Sequence, residues 1–118
     1  MSQIRVIVSM TAESPSAADA AIVERVRICE AVQREEEGCL QYEIFRSVMR
    51  PECFTLMELW ASEAAFDRHA KVVRPAGSSG APRPQSIVEM YHVARYRRID
   101  GIWQAEDPEQ RMETIRWI

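Results

Sequence analysis

The segment Cys53-Phe54-Thr55-Leu56-Met57-Glu58-Leu59-Trp60 constrains the fold of this 118-residue chain more than any other. Alternation puts Phe54, Leu56, Glu58 and Trp60 on one face of a strand, and Cys53, Thr55, Met57 and Leu59 on the other. Both faces are largely apolar, so this strand has to be covered on both sides. At this length, with 47% hydrophobic residues, the chain builds one core rather than two. Its own helices can cover one face of a sheet; the other face needs a different cover.

The flanking sequence supplies the rest of that sheet. Ile4 to Met10 is β-branched and alternates, with Ile4, Val6, Val8 and Met10 on one face, which predicts a first strand. Ser14-Pro15 opens a helix over 15–36: Ser caps, and Pro suits the first helical position. Ala18, Ile22, Val26, Cys29 and Val32 form its apolar stripe, with Arg25 inside the same arc. Glu35-Glu36-Glu37 falls at the C-terminal end, where negative charge is unfavourable, and Gly38 stops the helix. Residues 39–47 and 52–61 read as a hairpin of two strands. Ser62 caps a short helix over 63–73, and 86–97 reads as a fourth strand after a Pro/Gly/Ser-rich stretch at 74–84. Asp107-Pro108-Glu109-Gln110 resembles the start of a further helix. The order βαββαβ predicts an α+β, ferredoxin-like sheet with both helices on one face, and a second copy of the chain on the other. The expected domain spans 1–98, and 99–118 is a C-terminal extension placed to pack on the dimer partner.

Composition excludes several classes. There is no apolar run of membrane-spanning length, and the first residues lack the pattern of a signal peptide. The expected location is therefore the cytoplasm, and the predominance of Arg over the single Lys71 suggests a bacterium. A net charge of −3 gives no bulk attraction to phosphate, so no nucleic-acid partner is expected. Cys29, Cys39 and Cys53 are odd in number and lack metal-ligand spacing; they read as reduced thiols, with no metal site.

Two stretches carry a family resemblance. Residues 37–47, Glu-Gly-Cys-Leu-Gln-Tyr-Glu-Ile-Phe-Arg-Ser, resemble the second strand of the antibiotic biosynthesis monooxygenase domain. Residues 54–69 resemble its third strand and second helix: an apolar strand ending in Glu58-x-Trp60, a Ser62-Glu63 cap, the apolar Phe66 and then His69. The resemblance spans roughly residues 4–97. It implies a dimeric α/β barrel with one pocket per subunit between sheet and helices. It also implies a cofactor-independent monooxygenase acting on a hydroquinone or polycyclic phenol. In such oxygenases the substrate loses a proton and its anion reduces O₂ directly, with no flavin or metal. The protein supplies a dry cavity, a base and hydrogen-bond donors. Other members degrade haem. The chain contains no Asn, a pocket residue in several members, and carries the stretch 74–84 where more helix usually roofs the cavity. Those differences motivate a second expectation, a non-catalytic protein or stress protein binding a small aromatic ligand, and make haem degradation the third.

The residues for this chemistry follow. His69, on the face of the short helix that holds Phe66, is the expected proton acceptor; otherwise it is a helix-end His bonding a backbone carbonyl. Trp60, Tyr42, His92, Phe66 and Glu58 are expected to line the substrate site. Glu58, a carboxylate in an apolar strand, needs a partner; Arg46 or Arg95 at the dimer interface is the expected one.

Overall fold

A computed structural model describes residues 2–72 and 87–106, with 87–92 traced as strand backbone only. The predicted helix at 107–117, the stretch 74–84 and the side chain of His92 lie outside the described residues.

The first strand, β1, is Ile4–Ala12, and its buried and half-buried residues alternate without interruption. The first helix, α1, is Pro15–Glu35. Ser14 caps it, its Oγ accepting from Ala17 N–H at 3.0 Å, and Pro15 opens its first turn. The hairpin follows as β2, Cys39–Arg46, and β3, Cys53–Trp60. The second helix, α2, is Glu63–Val72, capped by Ser62 Oγ on Ala65 N–H. Then come β4, Ile87–Ile99, and β5, Ile102–Ala105.

The five strands form one sheet in the order β2-β3-β1-β4-β5, and every adjacent pair is antiparallel. The fold is α+β and ferredoxin-like, with a fifth strand added at one edge. β5 was not expected from the sequence. Asp100 and Gly101 both take positive φ, 52° and 80°, making a two-residue turn that folds 102–105 back onto β4. The front of the C-terminal extension thus joins the sheet of its own chain.

Register sorts the side chains. Ile4, Val6, Val8 and Met10 stand beside Trp60, Glu58, Leu56 and Phe54. With Tyr42 and Ile44 of β2 and Val93 of β4 they make the inner face, which joins Ala18, Ala21, Cys29 and Val32 of α1 and Ala65 of α2 in one core. Val26, expected in the α1 stripe, is exposed; Ala21 takes its place in the core. The helix is rolled so that two small alanines meet the sheet closely, and the wider valines Val23 and Val26 turn outward. On the outer face, Ile7, Met57, Leu59 and Ala94 are half-buried, and Phe45 is exposed.

Gly38 sets the approach of α2. Its φ is +86°, and a Cβ there would lie 2.5 Å from the Cβ of Ala65. Its carbonyl accepts from Ala61 N–H at 2.8 Å, tying the end of α1 to the start of α2. The ends of the two helices are thereby held side by side over β2 and β3.

Candidate functional site

The site lies on the inner face, where α1 ends and α2 begins its second turn. Tyr42 and Glu58 are register partners on β2 and β3, and Trp60 follows Glu58 on the same face. Gln33 of α1 donates from Nε2 to the Tyr42 carbonyl at 3.0 Å, anchoring this part of β2 under the helix. Phe66 and His69, three apart on α2, complete the group.

The sequence expectation for five of these residues therefore meets in space. The His69 ring stacks at a 33° tilt on Trp60, with centroids 4.5 Å apart, and stands edge-on to Tyr42 at 5.3 Å. Phe66 is 6.3 Å from both His69 and Trp60. Beyond Phe66, the Arg95 guanidinium lies 4.6 Å from the ring centroid. His92 of β4 is paired in register with Ser9.

Two expectations are corrected. Glu58 is not paired with Arg46 or Arg95 at an interface. It is buried on the inner face, where its Oε1 accepts from Trp60 Nε1–H at 3.0 Å and lies 3.9 Å from His69 Nε2. Arg46 instead bonds Asp19 and the carbonyls of Pro15 and Pro51, while Arg95 faces Glu63 and Glu106. Nor does His69 bond a backbone carbonyl: its Nδ1 lies 2.7 Å from Glu36 Oε1.

Glu36 is the residue that sequence reasoning missed. It is the C-cap of α1, with extended backbone (φ −98°, ψ 115°), and this turns its side chain away from the solvated face held by Glu35 and Glu37. The signal was the run of three acids at a helix end that disfavours them. One of the three had another use.

Burial governs the electrostatics. It pushes Glu58 up to about 7, against the lowering effect of the Trp60 hydrogen bond, and the negative charge of Glu36 adds to the rise. Burial also lowers His69 below its ordinary value, although the hydrogen bond and charge of Glu36 work in the other direction. Tyr42 is held well above the usual phenol value by burial and then by Glu58. Cys29 and Cys39 are both raised to about 11, chiefly by burial, and are poor nucleophiles near neutral pH. Burial thus favours the uncharged form of both side chains, a neutral imidazole beside a neutral carboxyl.

At the rim, Arg97 forms a two-pronged pair with Glu63, at 2.6 and 2.7 Å, and Glu106 approaches both Arg95 and Arg97. These contacts fasten the start of α2 to β4 and to the residue after β5. Among the described residues, no three His, Cys, Asp or Glu side chains are grouped to hold a metal ion.

The family model described as antibiotic biosynthesis monooxygenase matches residues 4–72. The chain belongs to the antibiotic biosynthesis monooxygenase family. Solved structures agree on the fold. A protein from Shewanella oneidensis is 24% identical with a TM-score of 0.63, over 81% of this chain and 90% of its own. A conserved protein of unknown function from Bacteroides thetaiotaomicron, described as a possible oxidoreductase, is 24% identical with a TM-score of 0.66, over 81% and 97%. A candidate antibiotic biosynthesis monooxygenase from Deinococcus radiodurans is 22% identical with a TM-score of 0.66, over 84% and 95%. No curated protein matches the chain. Glu58, Trp60, Phe66 and His69, which carry the resemblance in the sequence, fall inside the matched span and meet in the site described here.

Proposed function

We propose that this protein is a cofactor-independent monooxygenase that oxidises a hydroquinone or polycyclic phenol, with O₂ as co-substrate and without flavin or metal. The observation that carries the reading is the buried His69, walled by Tyr42, Trp60 and Phe66 and tied through Nδ1 to Glu36. An aromatic substrate stacks favourably against such rings. A neutral imidazole among them takes the phenolic proton, and the low-dielectric surroundings favour a substrate whose negative charge is spread over its rings. That anion reduces O₂; one oxygen atom enters the product and the other leaves as water. His69 is the catalytic base, and Tyr42, Trp60, Phe66 and Glu58 contact the substrate. His92 is left out of the lining: its register position, opposite Ser9 of β1, falls on the outer face of the sheet with Ala94.

The working unit is a homodimer whose outer sheet faces meet, as members of the family generally are. The partners are thus a second copy and a small aromatic molecule, not nucleic acid or membrane. Among the described residues no helix is long and apolar enough to cross a membrane. A cytoplasmic, bacterial enzyme is the accompanying expectation.

Oxygen consumption with a panel of hydroquinones and anthrone-like phenols tests the reading. Turnover is expected in air and is expected to stop under argon; equal turnover without O₂ excludes oxygenation. His69→Ala is expected to lower kcat/KM by about 10²- to 10⁴-fold, the usual contribution of a positioned base. Full activity in that variant removes His69 from the role. Tight binding of an aromatic compound without oxygen uptake would make the protein a carrier, and a Soret shift on adding haem would point to haem chemistry.

A further inference from the structure

Two carboxyl groups stand on opposite edges of the His69 ring, and they come from different elements. Glu36 arrives from the C-cap of α1, with its Oε1 2.7 Å from Nδ1. Glu58 arrives from β3, with its Oε1 3.9 Å from Nε2. That second distance is beyond hydrogen-bond reach, whereas Glu58 Oε1 does accept from Trp60 Nε1–H at 3.0 Å. A carboxylate can only accept, so the nitrogen facing Glu36 is the one that carries hydrogen.

We propose, resting on the reading of His69 as base, that Glu36 is its positioning residue: by accepting Nδ1–H it fixes the tautomer that leaves Nε2 bare, while Glu58 stands by as a neutral carboxyl.

Charge counting supports this arrangement. With one proton shared out between Glu58 and His69, the trio carries a net charge of −1 wherever that proton sits. On His69 it creates three buried charges; on Glu58 it leaves one, on Glu36, the most solvent-exposed member of the three. Burial selects the second form. The surrounding groups agree. From α1, Cys29 accompanies Glu36; from β2 come Tyr42 and Cys39; from β4 comes Arg95, whose guanidinium lies over the Phe66 ring and faces Glu63 and Glu106. The thiols and the phenol are held in their neutral forms, so the nearby negative charge is that of Glu36.

The consequence for the reaction is specific. When a substrate hydroxyl gives its proton to Nε2, the O–H electron pair stays on the substrate and an imidazolium forms. That cation lies against the Glu36 carboxylate, and the neutral Glu58 neither competes for the proton nor repels the new substrate anion. An ionised Glu58 would do both.

The test needs no substrate. In the ¹⁵N-labelled full chain, two-bond ¹H–¹⁵N correlation of the imidazoles near pH 6.5, where Glu58 keeps its proton, is expected to show His69 as one tautomer, protonated at Nδ1 and bare at Nε2. His92, the other histidine, is identified by His92→Ala. Glu36→Gln, whose amide can donate as well as accept, is expected to give a tautomer mixture; Glu36→Asp is expected to restore the single form in part. An Nε2–H tautomer in the parent protein overturns the proposal, and so does a Glu36→Gln spectrum identical to the parent's. The parent spectrum decides the matter alone if the variants do not fold. With an active substrate, Glu36→Gln is expected to lower kcat at least about tenfold with little change in KM. It is also expected to move the acidic limb of the pH profile to lower pH, because Glu36 favours the protonated ring. A change in KM alone overturns the positioning role. If the tautomer behaves as expected but no phenol consumes O₂, the monooxygenase reading fails and the role of Glu36 stands.

Discussion

At the scale of single residues, Glu58 is the costly one. An unpaired carboxylate this deep costs several kcal/mol, and the chain avoids that cost by keeping the proton. The linkage has a definite sign. Glu58 is raised from 4.5 to about 7 in the folded state, so its contribution to stability is complete below pH 4.5 and is lost as pH rises to about 7. His69, whose value is lowered, works in the opposite direction below 6.5, because the unfolded chain takes up its proton first. Comparing the parent with Glu58→Gln isolates the carboxyl, since Gln stays neutral and can still accept from Trp60. Between pH 4.5 and 7 the variant is expected to gain about 3 kcal/mol relative to the parent, as measured by urea unfolding across that range. A constant difference between the two would mean that Glu58 ionises normally. Glu36 shows the opposite economy. Its charge at a helix C-terminus costs about 0.3–1 kcal/mol, and the hydrogen bond from an imidazole offsets that.

At the scale of elements, two glycines separate backbone strain from close packing. Gly38 and Gly101 have nearly equal positive φ, but only Gly38 has a neighbour where a side chain would begin. Gly101→Ala is expected to cost about 1 kcal/mol, the price of a left-handed conformation for an L-residue. Gly38→Ala adds a collision with Ala65 and is expected to cost about 2–4 kcal/mol. Because it pushes the ends of α1 and α2 apart, it is also expected to weaken the Glu36–His69 bond. Thermal unfolding of both variants checks the ratio, and equal losses would deny the role of Gly38 in seating α2. The same element scale shows where the sequence could be read. Strands β1 to β4 and both helices were legible because alternation and helical spacing record which side faces the core. β5 was not, since Ile102 to Ala105 is exposed throughout and carries no burial pattern; Asp100-Gly101 was the only local signal. Trp60 with Glu58, and Phe66 with His69, were legible as pairs because each shares one face of a strand or helix, and the family resemblance added Tyr42; the inward pairing of Glu58 was not legible, because alternation gives a face but not a partner. Glu36 was not, because which of three successive acids turns inward depends on backbone angles at the cap, not on periodicity.

At the scale of the whole molecule, β3 serves two surfaces at once. Its even-numbered residues Glu58 and Trp60 build the site, and its odd-numbered residues Met57 and Leu59 lie on the outer face beside Ile7 and Arg5 of β1 and Glu43 and Gln41 of β2. Both described helices pack on the inner side, so Ile7, Met57, Leu59, Ala94 and Phe45 are left as an apolar patch edged by charge. A patch of that character on a sheet, in a family of dimers, is the expected seat of a second sheet. Met57 stands at its centre, with register partners Ile7 and Glu43 on either side. Sedimentation equilibrium is therefore expected to give a dimer for the parent and for Met57→Leu. Met57→Lys is expected to give a monomer, because desolvating an ammonium at the centre of this apolar patch costs more than pairing with Glu43 returns. Since Met57 adjoins Glu58 on one strand, loosening the outer face is expected to reach the inner one. The Met57→Lys monomer should turn over substrate more slowly than Met57→Leu, and equal rates would show that one subunit holds the site unaided.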